Sequence, residues 1–372
     1  MKIMKTFYPN TEHGIVNRVQ NSIFRYQGWP TVARDENGTL YVASSSFRVN
    51  HVCPFGKSVM YISKNEGKTW TPPIVVNDTY LDDRDGGLLY AGNGRLLLTW
   101  FTLPVSYMKS DECAKYMTSA ACGLDGAAAN KGMLEAYEHM PQEMLKCGSL
   151  LRVSEDYGVT WSDTIRMPIS APHGPSLCRD GSMIYLGLEY ASDGELPRKC
   201  IALYKSTDGG YNWKKVSIVT PPDWLTDEEF LDEPHVIELP DGRLLGAFRI
   251  EGHKPSFTIA TAISEDGGET WSDVICTDVS GSPPHLMLHS SGAIVCSYGR
   301  RQVPYGERAM VSYDFGKTWE EEYVLDESYS GDLGYPSTVE LDDGSLMTVY
   351  YQKYQDDKRC SILFTKWRLN ER

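Results

Sequence analysis

Five copies of one octapeptide constrain this chain more than any other feature. SEDYGVTW (154–161), STDGGYNW (206–213), SEDGGETW (264–271) and SYDFGKTW (312–319) follow the form Ser-x-Asp-x-Gly-x-Thr-Trp, with Asn212 at the Thr position of the second, and SKNEGKTW (63–70) is a weaker copy with Asn65 at the Asp position. The Asp side chain can accept hydrogen bonds from nearby backbone N–H groups, and the Gly can take positive φ, so the unit reads as a self-capped tight turn. Thr-Trp then opens a strand with a large apolar side chain. A turn written at intervals along a chain means stacked units, because a single unit of this size cannot bury its own apolar face.

A second repeat runs independently of the first. In six segments a short apolar run meets a Gly turn and a second apolar run follows: TVARDENGTLYVAS, LLYAGNGRLLLTW, SLCRDGSMIYLGL, VIELPDGRLLGAF, LMLHSSGAIVCSY and VELDDGSLMTVYY. The turn glycines are Gly38, Gly94, Gly181, Gly242, Gly292 and Gly344, with separations of 56, 87, 61, 50 and 52 residues. Each unit is a hairpin, a third strand, the octapeptide turn in the first five, and a fourth strand. Six such units predict an all-β chain, a six-bladed β-propeller forming one domain over 1–372. The long interval contains a partly helical insertion in the second blade, at about 106–150, where GMLEAYEHMPQEMLKCG reads as helix despite Pro141. The insertion suits a surface elaboration, a lid or a homo-oligomer contact. The sixth unit lacks the octapeptide, so residues near Ile15–Ile23 are expected to close the ring by completing the last blade.

Composition excludes several functions. A net charge of −14 with no basic block argues against a nucleic-acid partner. The nine cysteines show no CxxC or zinc spacing, which predicts reduced, mostly buried thiols and no metal. MKIMKTFYPN lacks the apolar core of a signal peptide, and no long apolar run suggests a membrane span, so a cytoplasmic protein is expected. No P-loop, dinucleotide fingerprint, HExxH or Ser-His-Asp spacing supports another chemistry, and no cofactor is expected.

Polar residues recur at one repeat-relative position. Eight residues before the turn glycines lie Pro30, Gly86, His173, Pro234, Pro284 and Pro336. Proline is tolerated at the first residue of a strand, so these positions mark where the inner strands begin, at the mouth of the central channel. Around them stand Trp29, the run Asp82–Arg84–Asp85, His173, Glu233, His235, His285 and Tyr335. The ends of the following strands add Arg48, Glu189, Arg249 and Arg300. Inter-blade ion pairs explain some of these singly, but a cleft built from all blades explains their common position.

The octapeptides resemble the Asp-boxes of the sialidases (neuraminidases) and related BNR-repeat proteins. In that family the boxes lie on the propeller periphery, away from the chemistry. LDEPHVIELPDGRLLGAFR is similar to the sialidase segment in which a Glu precedes a hairpin ending in Arg. The resemblance implies Glu233 as partner of the nucleophile and Arg249 as a member of an arginine triad. YGERAMVSYDFGKTW implies Arg308 as the last triad member, with Arg300 of YGRR competing. GYPSTVELDDGSLMTVYY implies Tyr335 as nucleophile, and FRYQGWPTVARDENGTL implies Arg25 as the first triad Arg, with extra residues before Pro30.

The residue types suit that chemistry. Paired charge-assisted hydrogen bonds from guanidiniums hold a substrate carboxylate, each contributing roughly 1.5–3 kcal/mol. A sialic acid carries its carboxylate on the anomeric carbon. A carboxylate nucleophile is repelled there, whereas a neutral Tyr activated by a Glu is not. The resemblance departs in one place. The loop SSSFRVNHVCPFGKSVM contains no Asp or Glu where the family carries its acid/base. His51, or the 82–85 run with Asp85, must supply that proton. The expected activity is exo-hydrolysis of a terminal acidic sugar from a glycan or oligosaccharide substrate. Two alternatives stay open: a lyase or uronate-glycan hydrolase using His51, His173 or Tyr335 as acid/base, and a non-catalytic glycan-binding propeller.

Overall fold

The structure, a computed structural model, describes residues 4–190, 197–252 and 257–370. It is built of six small sheets arranged as the blades of a propeller, numbered I to VI in chain order. Blade I runs through Tyr26–Arg34, Leu40–Arg48, Lys57–Ser63 and Ile74–Asn77, each strand antiparallel to the last. Blades II, IV and V repeat this path, with inner strands Asp83–Tyr90, Phe230–Glu238 and Ser282–Leu288. All six predicted turn glycines have positive φ, between 73° and 89°.

In blade III the inner strand is reduced to two short pieces, Ile169–Ser170 and Ser176–Leu177, both paired with Met183–Glu189. Pro172 and Pro175 remove ladder donors between them. Blade VI takes three strands from the C-terminal part of the chain, and Glu12–Asn17 pairs with Cys360–Trp367 to complete it. Ring closure therefore begins earlier than the expected 15–23. A further strand, Lys5–Phe7, adds in parallel to Glu321–Glu327 at the edge of blade V.

The octapeptides connect the third and fourth strands. In each, the Ser hydroxyl donates to the Asp or Asn side chain and accepts from the Gly N–H, as in Ser264–Asp266–Gly268 at 2.8 Å for both bonds. The box glycine faces the preceding blade. A Cβ on Gly210 would stand 2.3 Å from Leu97 Cδ2, and one on Gly268 would stand 2.2 Å from Leu203 Cδ2. The repeat is thus a joint between blades. Six larger apolar clusters each span one pair of neighbouring blades, including the closing pair I and VI through Val42, Tyr61, Val349 and Ile362. Burial of this kind, about 25 cal/mol per Å² of apolar surface, ties each blade's stability to its neighbours.

The insertion joins Leu96–Thr102 to Gly148–Ser154 in blade II. Its main helix, Ser119–Ala136, is capped by Thr118 and ends before Pro141, which instead opens a short turn of helix at Gln142–Leu145. Met108, Cys113 and Met117 form a small core with Val52 and Leu103. Among the described residues no disulfide forms, and no helix is long and apolar enough to cross a membrane.

Candidate active site

Five inner strands carry a register break at the same point, and in all but blade V, where Pro283 stands there, the break places a non-glycine residue at positive φ. These are Trp29 (52°), Asp85 (54°), Glu233 (40°) and Tyr335 (52°). The left-handed region costs such residues of order 1–3 kcal/mol each. A bulge re-aims a side chain that regular pleating would send between blades. Here it brings all four to the channel mouth, where the surrounding ladders hold the strained backbone in place.

The Tyr335 phenol donates to Glu233 Oε1 at 2.5 Å. Glu233 Oε2 lies 2.6 Å from Arg249 Nη1, while Arg249 Nη2 reaches Asp232 at 2.5 Å and Glu251 at 2.9 Å. Arg249 is therefore held by three carboxylates and serves to position Glu233. Burial drives the Glu233 carboxyl up to about 8; Arg249 opposes this, and the negative charges of Asp232 and Asp85 add to it. Burial and the adjacent Glu233 also push the Tyr335 phenol well above its ordinary value.

On the other side of Tyr335, Trp29 carries two stacked guanidiniums, Arg84 at 4.2 Å and Arg48 at 4.6 Å from its ring. Arg48 is fully buried and forked onto Asp82, with Nη2 at 2.8 Å from Oδ2. Arg84 donates to the His51 carbonyl at 3.2 Å and lies 3.3 Å from Asp82. His51 Nδ1 is 3.1 Å from Asp332 Oδ1, and the Tyr26 hydroxyl donates to the same oxygen at 2.8 Å. Burial would raise Asp332, but His51, Tyr26 and Arg301 hold it down at about 2. An ionised Asp332 puts the imidazole proton on Nδ1 and leaves Nε2 as the acceptor. Burial lowers His51, Asp332 opposes, and Arg84 and Arg301 lower it further. Asp85 is pushed up to about 6 by burial, against the pull of Arg84, Arg48 and Arg249.

Arg301 is a residue that the sequence reading missed. Its Nε donates to the Leu333 carbonyl at 2.9 Å and its Nη2 to the Tyr351 hydroxyl at 3.0 Å, with the guanidinium 5.4 Å from the Tyr335 ring centre. Among the described residues no carboxylate lies within ion-pair distance of it, so its charge is available to a ligand. Asp332 was also missed. It lies in SGDLG, a loop without periodicity.

Other candidates lie elsewhere. Arg300 lines a peripheral cleft with Trp319 and Glu322, because the pleat turns it away from the mouth that its neighbour Arg301 faces. Arg308 donates to the backbone carbonyls of Glu307 and Asp326 and is not joined to the Tyr335 cluster. Arg25 precedes its strand and donates to the Gln20 carbonyl at the surface. Glu189 pairs with Lys215 at 2.6 Å on the outer side of blade III. His173, His235 and His285 converge in the channel, with His235 and His285 stacked at 4.6 Å and His173 at 6.4 Å from the Tyr335 ring. His235 Nδ1 accepts the Leu286 N–H at 3.0 Å and His285 Nδ1 accepts the Thr338 N–H at 3.3 Å, so both are neutral imidazoles fastened to the neighbouring blade. Burial lowers all three, His235 to about 4. No cluster of metal-ligating side chains occurs among the described residues. A cavity of about 140 Å³ opens beside Glu233 and Asp85, walled by Pro172 and Tyr190.

Known proteins share this architecture. Among solved structures, a Dyadobacter fermentans protein of unknown function superposes with a TM-score of 0.74 at 21% identity, covering 96% of this chain and 98% of its own. The intramolecular trans-sialidase of Ruminococcus gnavus gives 0.63 at 15% identity over 93% and 95%. The NanB sialidase of Streptococcus pneumoniae gives 0.67 at 15% identity over 96% and 70%. No curated protein matches the chain. A family model described as a BNR repeat-like domain matches residues 129–348, which is more than half of the sequence. The chain belongs to the BNR repeat-like family and carries the sialidase propeller fold.

Proposed function

We propose that this protein is a retaining exo-glycosidase that hydrolyses a terminal acidic sugar, sialic acid foremost, from glycans. The observation that carries the reading is the 2.5 Å hydrogen bond from the Tyr335 phenol to Glu233, made between two strained bulge residues at the floor of an arginine-lined mouth. A buried Tyr–Glu pair in such strain has little structural purpose, since an apolar pair would pack there without it.

The substrate carboxylate binds Arg301, with Arg84 beside it. Glu233 takes the phenolic proton as the Tyr335 oxygen attacks the anomeric carbon. The bond to the leaving oxygen breaks, and that oxygen takes a proton from the His51 imidazolium. In the second step His51 takes a proton from water, the water oxygen displaces Tyr335 at the anomeric carbon, and Glu233 returns the proton to the phenolate. The net change is hydrolysis with retention. His51 is lowered by burial and further by Arg84 and Arg301. A bound carboxylate neutralises those charges and returns His51 toward the range where it can donate. Asp85, at about 6, is the second group able to supply that proton.

The His51–Asp332 pair favours one other reading. A neutral imidazole oriented by an ionised carboxylate is a general base. Against a uronate bound to Arg301, it could remove the proton α to the carboxylate while the 4-linked sugar departs, leaving an unsaturated product. Incubation of the protein with aryl sialosides, aryl uronides and uronate-containing oligosaccharides, read by mass spectrometry and ultraviolet absorbance, separates the two. Gain of water across an acidic glycosidic bond supports hydrolysis. A product absorbing near the ultraviolet edge with no water gained replaces it with elimination. Turnover of none of these overturns both.

A further inference from the structure

The helical insertion is fastened to the loop that carries His51. Asn50 Nδ2 donates to the Tyr116 carbonyl at 3.0 Å. Arg359 of blade VI bridges the two segments, donating to the Val49 carbonyl at 3.1 Å and to the Ala121 carbonyl at 2.7 Å. Gly126 of the main helix lies so close that a Cβ there would stand 2.7 Å from Val49 Cγ1. The Tyr137 hydroxyl reaches the Pro54 carbonyl at 3.4 Å. These ties on both flanks of His51 make the insertion a fixed part of the mouth.

One half-buried side chain of the insertion looks onto that histidine. The Tyr116 ring lies 6.2 Å from the His51 ring at 31°, and the Trp29 ring lies 5.1 Å from it at 73°. The oxygen that receives a proton from His51 must lie against the imidazole, beside these rings. Trp29 is buried under Arg84 and Arg48, on the side of the acidic sugar. Of the two rings, half-buried Tyr116 is therefore the one left for the group attached beyond the leaving oxygen. We infer that Tyr116 is a specificity-determining residue: it forms the wall against which the leaving group rests and selects glycosides whose leaving group is a sugar ring. A tyrosine offers a broad apolar face and a polar tip, which suits the C–H face and hydroxyls of a hexose. This inference rests on the site binding a terminal acidic sugar.

The test is calorimetric titration of wild type, Tyr116→Ala and Tyr116→Phe with two non-hydrolysable ligands, methyl thiosialoside and a thio-linked sialyl galactoside. Wild type should bind the galactoside about tenfold more tightly than the methyl ligand. Tyr116→Ala should lose that difference while still binding the methyl ligand, and Tyr116→Phe should keep most of it. Equal weakening of both ligands by Tyr116→Ala, or no change in either, overturns the inference and leaves the acidic-sugar reading standing. Failure of wild type to bind either ligand overturns that reading, and the inference with it.

Discussion

Tyr335 and Glu233 stand 102 residues apart in sequence and share a hydrogen bond of 2.5 Å. Both precede the proline of a bulged inner strand, in blades VI and IV. Burial outweighs Arg249 and pushes the Glu233 carboxyl up to about 8. It acts as a base only when ionised, and that form is lost as pH falls through about 8. With an aryl sialoside, whose leaving group needs no acid, kcat/KM should therefore rise with pH up to about 8 and then level. A rate profile from pH 5 to 9.5 checks this, and Glu233→Gln should abolish most of the rate.

Arg301 and Arg249 should respond differently to loss of charge. Arg301→Met removes one charge-assisted contact to the substrate carboxylate, about 2 kcal/mol, and should raise KM about thirtyfold with little change in thermal stability. Arg249→Met strands the carboxylates of Asp232 and Glu233 beside the partly exposed Glu251 and should cost roughly 3–5 kcal/mol of folding stability. Steady-state kinetics and thermal unfolding of the two variants separate binding from structure.

His51→Ala should slow glycosides with basic leaving groups, such as galactosides, by about a hundredfold or more, as expected for a lost general acid. Aryl sialosides should be affected much less in the first step. A comparison of the two substrate classes with the same variant measures this ratio.

The boxes should matter for stability and not for turnover. Gly210→Ala places a Cβ 2.3 Å from Leu97 at φ +96°, and should destabilise by about 2–4 kcal/mol. Gly267→Ala, at φ +74° with no atom within 4 Å of the new Cβ, should cost only about 1 kcal/mol. Denaturant unfolding ranks the two, and kcat should be unchanged in both.

The blades were legible in the sequence because the turn glycines and boxes recur with local chemistry that admits few alternatives. Pro30, Pro234 and Pro336 drew attention to the right positions for a reason the structure corrects: the inner strands begin earlier, at Tyr26, Phe230 and Gly334, and the prolines lie within them at the bulges, where the ladder is broken and no donor is missed. Arg301 was not, because only the pleat at the end of Ile294–Arg300 decides which of two adjacent arginines faces the mouth. Asp332 and Tyr116 come from a loop and an insertion with no repeat-relative position, so nothing local connects them to His51. Blade III lost its continuous inner strand to Pro172 and Pro175, whose missing donors outweigh the repeat pattern. The ion pairs of Arg249 could not be read either, since Asp232 and Glu251 close on it only when the two strands pair.

The nucleophilic role of Tyr335 is the centre of this account, and kcat of Tyr335→Phe on an aryl sialoside tests it most directly. The substitution removes one oxygen, keeps the ring beside Trp29 and leaves the arginines in place. The account predicts a fall in kcat of a thousandfold or more, with substrate-analogue affinity within a few-fold of wild type. Retention of a tenth or more of wild-type kcat would contradict it.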